Sequence, residues 1–157
     1  MQKKPVEKPR GFSRLLYRFP IWLYRIGLGG LFGKRFILLT HIGRKSGQQR
    51  QVLLEVIRLD LVTGVVYVIA AYGEKADWVR NVRKTPSIHA QLGRQMYAAE
   101  AVFLDEEGRI REYLDYARRH PKMAVSFPGM VGYGLDGSEE DFIAFAKEIV
   151  IVAVKPA

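Results

Sequence analysis

Leu38-Leu-Thr-His-Ile-Gly-Arg-Lys-Ser-Gly-Gln-Gln-Arg50 is the stretch on which the reading of this chain turns. It starts inside a short apolar run, Phe36 to Ile42, and breaks at Gly43-Arg44-Lys45-Ser46-Gly47, a tight turn with a glycine at each end. Residues 50–59 then read as the returning strand. Three cations, Arg44, Lys45 and Arg50, bracket the small residues of the turn. Small residues let backbone amides point into a shared concavity, and such nests bind anions. Guanidinium groups can grip phosphate oxygens in a bidentate way, while an ammonium adds a point charge. The same pattern also suits a solvated hairpin tip whose charges protect a sheet edge. It is neither a Walker loop nor a dinucleotide fingerprint.

Downstream, turns alternate with strand-like segments. Leu61 to Gly64 holds a turn, and Val65 to Tyr72 is rich in β-branched residues. Asp77 to Lys84 reads as a short helix closed by Pro86. Ser87–Leu92 and Gln95–Phe103 form a hairpin around Gly93-Arg94. Asp105 to His120 is an amphipathic helix with Ile110, Tyr113, Leu114 and Ala117 on one stripe. Residues 121–137, with Pro121, Pro128 and four glycines, read as a loop or broken helix. Ser138 starts a further helix with Asp141 in capping position, and Ile149 to Val154 is a last strand. About six strands joined one to the next, with few crossover helices, indicate an α+β chain dominated by a mostly antiparallel sheet or barrel.

Upstream, residues 1–11 read as a flexible basic arm, and 12–157 as one domain, as the length of 157 residues suggests. Apolar side chains at 12, 15, 16, 19, 22, 23 and 26 have helical spacing, with Arg14, Arg18 and Arg25 opposite them. Such a helix suits either docking over the open end of a barrel or a peripheral contact with an anionic membrane surface.

The formal net charge of +9 is concentrated at one end. Residues 1–50 hold twelve Lys or Arg against one acid, Glu7, whereas residues 51–157 hold thirteen against fifteen. The first third therefore attracts anions, whether nucleic acid, lipid or a phosphorylated ligand. The cations gather on one turn and one helix rather than among exposed aromatic residues on strands, which argues against nucleic acid as the partner. The chain has no cysteine, so disulfides, thiolate metal sites and cysteine nucleophiles are excluded. That absence fits a reducing cytoplasm. His41, His89 and His120 are far apart in sequence and form no metal-binding pair; no metal is expected. No apolar run approaches the ~20 residues of a spanning helix, and no cleavable signal peptide is evident.

The strand, turn and cations at 38–50 resemble the signature of the deazaflavin-dependent nitroreductase and quinone reductase family. That signature is an apolar strand, a Thr, and Gly-Arg-Lys-Thr/Ser-Gly-x-x-Arg. A second match follows in order: Val66-Tyr-Val-Ile-Ala-Ala-Tyr-Gly73, then Asp77-Trp-Val-Arg-Asn81. Pro86 and the hairpin strand after it make a third. The resemblance implies a split β-barrel flanked by helices and a bound coenzyme F-420, an 8-hydroxy-5-deazaflavin. FMN is the alternative, because related split barrels use it.

What the resemblance implies for the site can be stated residue by residue. Arg44, Lys45, Ser46, Gly47 and Arg50 would hold the coenzyme's phosphate and acidic tail. Val52, Leu53 and Leu54 would pass along its length, and Ala71, Tyr72 and Gly73 would border its ring. Asp77, Trp78 and Asn81 would close the pocket, Trp78 as an apolar wall and Asn81 as a donor to a ligand oxygen. The expected activity is hydride transfer to a quinone, nitroaromatic or similar small acceptor. The chemistry resides in the coenzyme, and the protein's task is to hold donor and acceptor together and exclude water. Tyr72 or Tyr133 is the candidate donor to the acceptor's developing negative charge. Two departures stand out. Many relatives have Ser-Lys where this chain has Ala71-Tyr72, and a group of tyrosines on the substrate side is not reproduced. A non-catalytic coenzyme carrier on the same barrel is the competing reading. Monomer and homodimer are both left open.

Overall fold

The computed structural model describes residues 1–3 and 33–157. The helix expected at 12–28 and most of the arm at 1–11 lie outside the described residues. The expectation of a flexible arm is modified at its start. There β1 (Gln2–Lys3) pairs antiparallel with β7 (Tyr133–Gly134), and the Met1 ammonium donates to Asp141 at 2.9 Å.

Strands β2 (Phe36–Ile42), β3 (Gln49–Leu59), β4 (Val66–Ala70), β5 (Ser87–Leu92), β6 (Gln95–Phe103) and β8 (Val150–Pro156) close into a barrel. The order around it is β2-β3-β4-β8-β6-β5, and each neighbouring pair is antiparallel. The last strand enters between β4 and β6, with Val152 opposite Val68 on one side and Phe103 on the other. The helices are α1 (Asp77–Lys84), α2 (Glu106–Arg119), α3 (Pro121–Met130) and α4 (Glu139–Glu148). The expected sheet-dominated α+β split barrel is therefore observed.

Local chemistry sets the helix ends. The Asp105 carboxylate accepts from Gly108 N at 2.8 Å, and Ser138 Oγ accepts from Asp141 N at 3.2 Å, each satisfying an orphan donor of a first turn. The loop or broken helix expected at 121–137 is instead helical to Met130. Pro121 sits in the first turn, where a missing N–H costs nothing, and the helix ends two residues after Pro128.

Two cores follow from the period-2 alternation of the strands. Ile37, Leu39, Val66, Val68, Val152 and Val154 point into the barrel, where Val79 and Val82 of α1 join them. Ile57, Ile69 and Ile151 point outward against Tyr113, Tyr116, Phe142 and Phe145 of α2 and α4. Strands β4 and β8 are thus buried on both faces, which is why they read as unbroken apolar runs.

The barrel is split on one side. Strand β3 has eleven residues and β4 only five. They pair at Val56↔Val68, Arg58↔Tyr67 and Leu59↔Val66, with a bulge between Val56 and Arg58. Before Val56, β3 has β2 on one flank and, among the described residues, no strand on the other. Val56 N donates to Arg35 O at 2.9 Å, so alternation turns the backbone of Val52 and Leu54 toward β2. The backbone groups of Leu53 and Glu55 consequently face the gap. The chain leaves β4 at Gly73, whose φ of +56° suits only glycine; an added Cβ would also sit 3.3 Å from Glu148 O.

Two clamps hold the outer layer to this barrel. Arg58 of β3 makes a two-pronged ion pair with Glu112 of α2, Nε to Oε2 and Nη2 to Oε1 each at 2.9 Å. Arg119 Nη2 donates to Ile57 O at the bulge, at 2.8 Å. At the other end, α1 is tied to the β2–β3 turn. Asn81 Oδ1 accepts from Arg44 N at 3.0 Å and Arg44 Nη1 at 2.9 Å, while its Nδ2 lies 3.3 Å from His41 Nδ1. Two donors from Arg44 fix the amide orientation, so Nδ2 must donate and His41 Nδ1 must be an unprotonated acceptor. Burial, and then the Arg50 charge, bring the His41 pKa from 6.5 down to about 4.

Glu112 is buried, so its replacement removes the two-pronged ion pair and leaves Arg58, among the described residues, only the longer contact with Asp60 at 3.8 Å and the Tyr67 ring. Glu112→Gln is expected to lower stability by about 3 kcal/mol, read as a shift in the urea midpoint; an unchanged midpoint refutes the clamp. His41 predicts a pH dependence. Its folded pKa lies below its unfolded one, so between pH 6.5 and about 4 the unfolded chain binds the extra proton. Its contribution is complete above pH 6.5 and is lost as pH falls through that window, amounting to about 3 kcal/mol. Urea curves from pH 7 to 4.5 should show this slope in the native protein and a shallower one in His41→Gln; parallel profiles contradict it.

Candidate functional site

The turn between β2 and β3 is built by its own backbone. Gly43 N donates to Gln48 O at 2.8 Å, and Gly47 N donates to Gly43 O at 2.9 Å. Gly47 has φ +68°, the left-handed conformation that closes the loop. Ser46 Oγ accepts from Gln48 N at 3.2 Å. The N–H groups of Lys45 and Ser46 make no hydrogen bond among the described residues. Lys45, Ser46, Gly47 and Arg50 are exposed, and the Lys45 and Arg50 side chains form no ion pair among the described residues. The turn therefore offers two unpaired cations beside two unpaired amides, a combination that binds oxyanions.

Arg44 is placed differently. Its guanidinium turns inward to α1, donating to Asn81 Oδ1 and to the Asp77 carboxylate at 3.2 Å and the Asp77 carbonyl at 3.4 Å. Lys84 Nζ donates to Arg44 O at 3.1 Å. Asn81, read in sequence as a donor to a ligand oxygen, is 5% exposed and engaged by Arg44 and His41. Asp77, read as closing the pocket, is the exposed partner of Arg44. The three form a strut that sets the turn against the helix.

Beyond Arg50, β3 runs directly into the split. At ~3.3 Å per residue, the span from Arg50 to Leu53 is about 10 Å. Here a cavity of about 350 Å³ opens along the unpaired edge. Val52, Leu53 and Leu54 form one wall, and Ala71, Tyr72 and Trp78 another, so these six sequence candidates come together. Gly73 lies outside the lining and makes the bend that carries Ala76 and Trp78 to it. Tyr72 is partly exposed at the rim.

Tyr133 is not brought to this cavity. It is 8% exposed within the outer core, with its ring 5.2 Å from Phe145 and the Lys3 ammonium 5.5 Å from its face. The lining that sequence reading missed comes from the helices: Tyr116 of α2, with Phe127 and Met130 of α3 and Val131 after it. Tyr116 falls one turn beyond Tyr113 on the same apolar stripe, which was the available signal. Glu55, from the strand itself, adds a carboxylate to the same cavity. Among the described residues no three His, Asp or Glu side chains gather as a metal site, and no helix is long and apolar enough to cross a membrane.

The arrangement sets the two exposed cations Lys45 and Arg50 beside an apolar cavity that runs along the edge of β3. It suits an elongated ligand with an anionic end and a planar aromatic end whose rim carries polar atoms.

A structure titled F420-H2 dependent reductase (FDR-A) is 20% identical, with a TM-score of 0.53, covering 78% of this chain and 96% of that one. A conserved hypothetical protein of Mycobacterium tuberculosis is 16% identical, with a TM-score of 0.55, covering 85% and 79%. A pyridoxamine 5′-phosphate oxidase-related, FMN-binding protein of Nostoc punctiforme is 10% identical, with a TM-score of 0.55, covering 95% and 83%. At these identities the likeness is one of fold. No curated protein matches the chain. The family model described as F420H(2)-dependent quinone reductase matches residues 18–127, more than half the chain. The chain thus belongs to the F420H(2)-dependent quinone reductase family, oxidoreductases that draw hydride from a deazaflavin or flavin coenzyme.

Proposed function

We propose that this protein binds reduced coenzyme F-420 and catalyses hydride transfer from it to a small, planar quinone or nitroaromatic acceptor. The observation that carries this reading is the pairing of the unpaired Lys45 and Arg50 with an apolar slot along the open edge of β3. Lys45, Arg50 and the amides of Lys45 and Ser46 would hold the phosphate and acidic tail. Ser46 and Gly47 shape the loop, and Arg44 holds it in place through Asn81 and Asp77. The backbone of Leu53 would meet the polar rim of the ring, as one strand meets another. Val52, Leu54 and Trp78 would supply its apolar walls.

When bound, the coenzyme supplies the hydride from its ring carbon. The protein's contribution is to place an acceptor against that ring and keep water away. Phe127, Met130 and Val131 form the apolar cover suited to this task. Tyr72, at the rim, lies where an acceptor would enter. F-420 is favoured over FMN by the family description and by the excess of cations, which suits a tail with several negative charges. A cytoplasmic location, with a peripheral membrane contact through residues 12–28, accompanies this reading as an expectation.

Fluorescence titration of the purified protein with F-420 and with FMN tests the reading, followed by oxidation of the bound reduced coenzyme by 1,4-naphthoquinone. Tight F-420 binding with turnover is expected. Preference for FMN would change the coenzyme, and binding without turnover would make the protein a carrier. Lys45→Ala and Arg50→Ala should each weaken F-420 binding by about 1.5–3 kcal/mol, the value of a charged hydrogen bond, without altering the urea midpoint. Equal affinity in both variants would rule out the turn as the phosphate site.

A further inference from the structure

The slot has one buried polar group that the coenzyme reading leaves unused. Tyr116 is 5% exposed and lines the cavity together with Trp78, Ala71 and Leu53. Its ring is held between Tyr113, at 5.9 Å, and His120, at 5.3 Å. Its hydroxyl makes no hydrogen bond among the described residues. Among those residues, the one side-chain polar atom fully sealed from solvent without a partner is Tyr97 Oη, so Tyr116 Oη is not fully sealed, and Tyr116 lines the cavity.

Tyr113, one turn earlier, shows the ordinary behaviour of a buried tyrosine: its hydroxyl donates to Ala124 O at 2.8 Å. Buried hydroxyls are nearly always satisfied, because an unmade hydrogen bond away from water is costly. The Tyr116 hydroxyl, without a partner among the described residues and carried on a packed ring at the wall of the cavity, is available to a ligand. Burial pushes the Tyr116 phenol upward, and the Glu55 carboxylate in the same cavity pushes it further. It stays protonated, so toward an incoming oxygen it acts as a donor. That carboxylate is itself paired with Arg35 at 3.9 Å, so its charge is offset at the site.

On the reading given under Proposed function, we infer that Tyr116 is the acceptor-contacting hydrogen-bond donor of this enzyme. Its Oη would bind the carbonyl or nitro oxygen of a planar acceptor and stabilise the negative charge that oxygen gains on reduction. No proton needs to leave Tyr116; the hydrogen bond strengthens as charge develops, and the proton that completes reduction comes from water.

Tyr116→Phe removes one oxygen and nothing else, and Tyr113→Phe is the control for loss of a buried hydroxyl from the same helix. Three quantities are measured: F-420 affinity; steady-state turnover of 1,4-naphthoquinone; and 1,4-naphthoquinone affinity of the coenzyme-free protein, by tryptophan quenching. Tyr116→Phe should keep F-420 affinity within about twofold, weaken naphthoquinone binding about fivefold and lower kcat about 10- to 100-fold. Tyr113→Phe should lose stability and retain all three. The inference is overturned if Tyr116→Phe matches the native protein in naphthoquinone affinity and kcat, or if Tyr113→Phe loses as much. Failure of the native protein to bind F-420 or FMN would instead remove the function proposed above, and the coenzyme-free titration would still read Tyr116 by itself.

Discussion

Strand β3 outlasts its neighbour. With eleven residues against the five of β4, it has, among the described residues, a partner on both flanks only beyond Val56. A barrel wall that ended its pairing there by accident would leave amide and carbonyl groups of Leu53 and Glu55 facing solvent, an edge that proteins usually cover or blunt. Here the exposed edge is bounded by Trp78 on one side and by Phe127 and Met130 on the other. The missing half-strand is thus the shape of the site. Whatever lies in the slot completes the sheet as well as occupying a pocket.

The charged end depends on a division of labour among similar residues. Arg44, Lys45 and Arg50 are neighbours in sequence but face different surroundings. Arg44 is drawn into a buried network with Asn81, whose second contact is the neutral His41. That network spends one cation on structure and leaves Lys45 and Arg50 exposed. Because α1 also carries Trp78, the same contacts set both the anion-binding loop and the wall of the slot. The cationic turn and the wall of the slot are therefore mechanically linked through one eight-residue helix.

The outer layer contributes in the same way. Glu112 grips Arg58 at the end of β3 where pairing is complete, and Arg119 caps the Ile57 carbonyl at the bulge. Both residues belong to α2, the helix that presents Tyr116. The two polar clamps fix that helix relative to the strand, so Tyr116, distant in sequence from Leu53 and Glu55, meets the edge of β3 at a defined place. Tyr113 and Tyr116 both pack in the outer core, but of the two hydroxyls only that of Tyr113 has a partner among the described residues, and Tyr116 also lines the slot.

Local chemistry made much of this legible from residues alone. Gly43 to Gly47 announces a turn, Asp105 and Ser138 announce helix starts, and the double-sided apolar runs of β4 and β8 announce buried strands. Each of these is decided by neighbours within a few positions, through φ freedom, capping or alternation. The candidate residues on β3 and after β4 came instead from the resemblance of the two ordered motifs to a known family, not from local chemistry. The amino-acid order could not tell which of three adjacent cations would turn inward, because that depends on Asn81, thirty-seven positions on. Nor could it separate Tyr116 from Tyr133: both are aromatic residues in apolar surroundings, and only the packing of α2 and α3 across the split sends one to the slot and the other against Phe145. Short-range forces write themselves into sequence, whereas the partner of a long side chain is chosen by whichever surface folding brings within its reach.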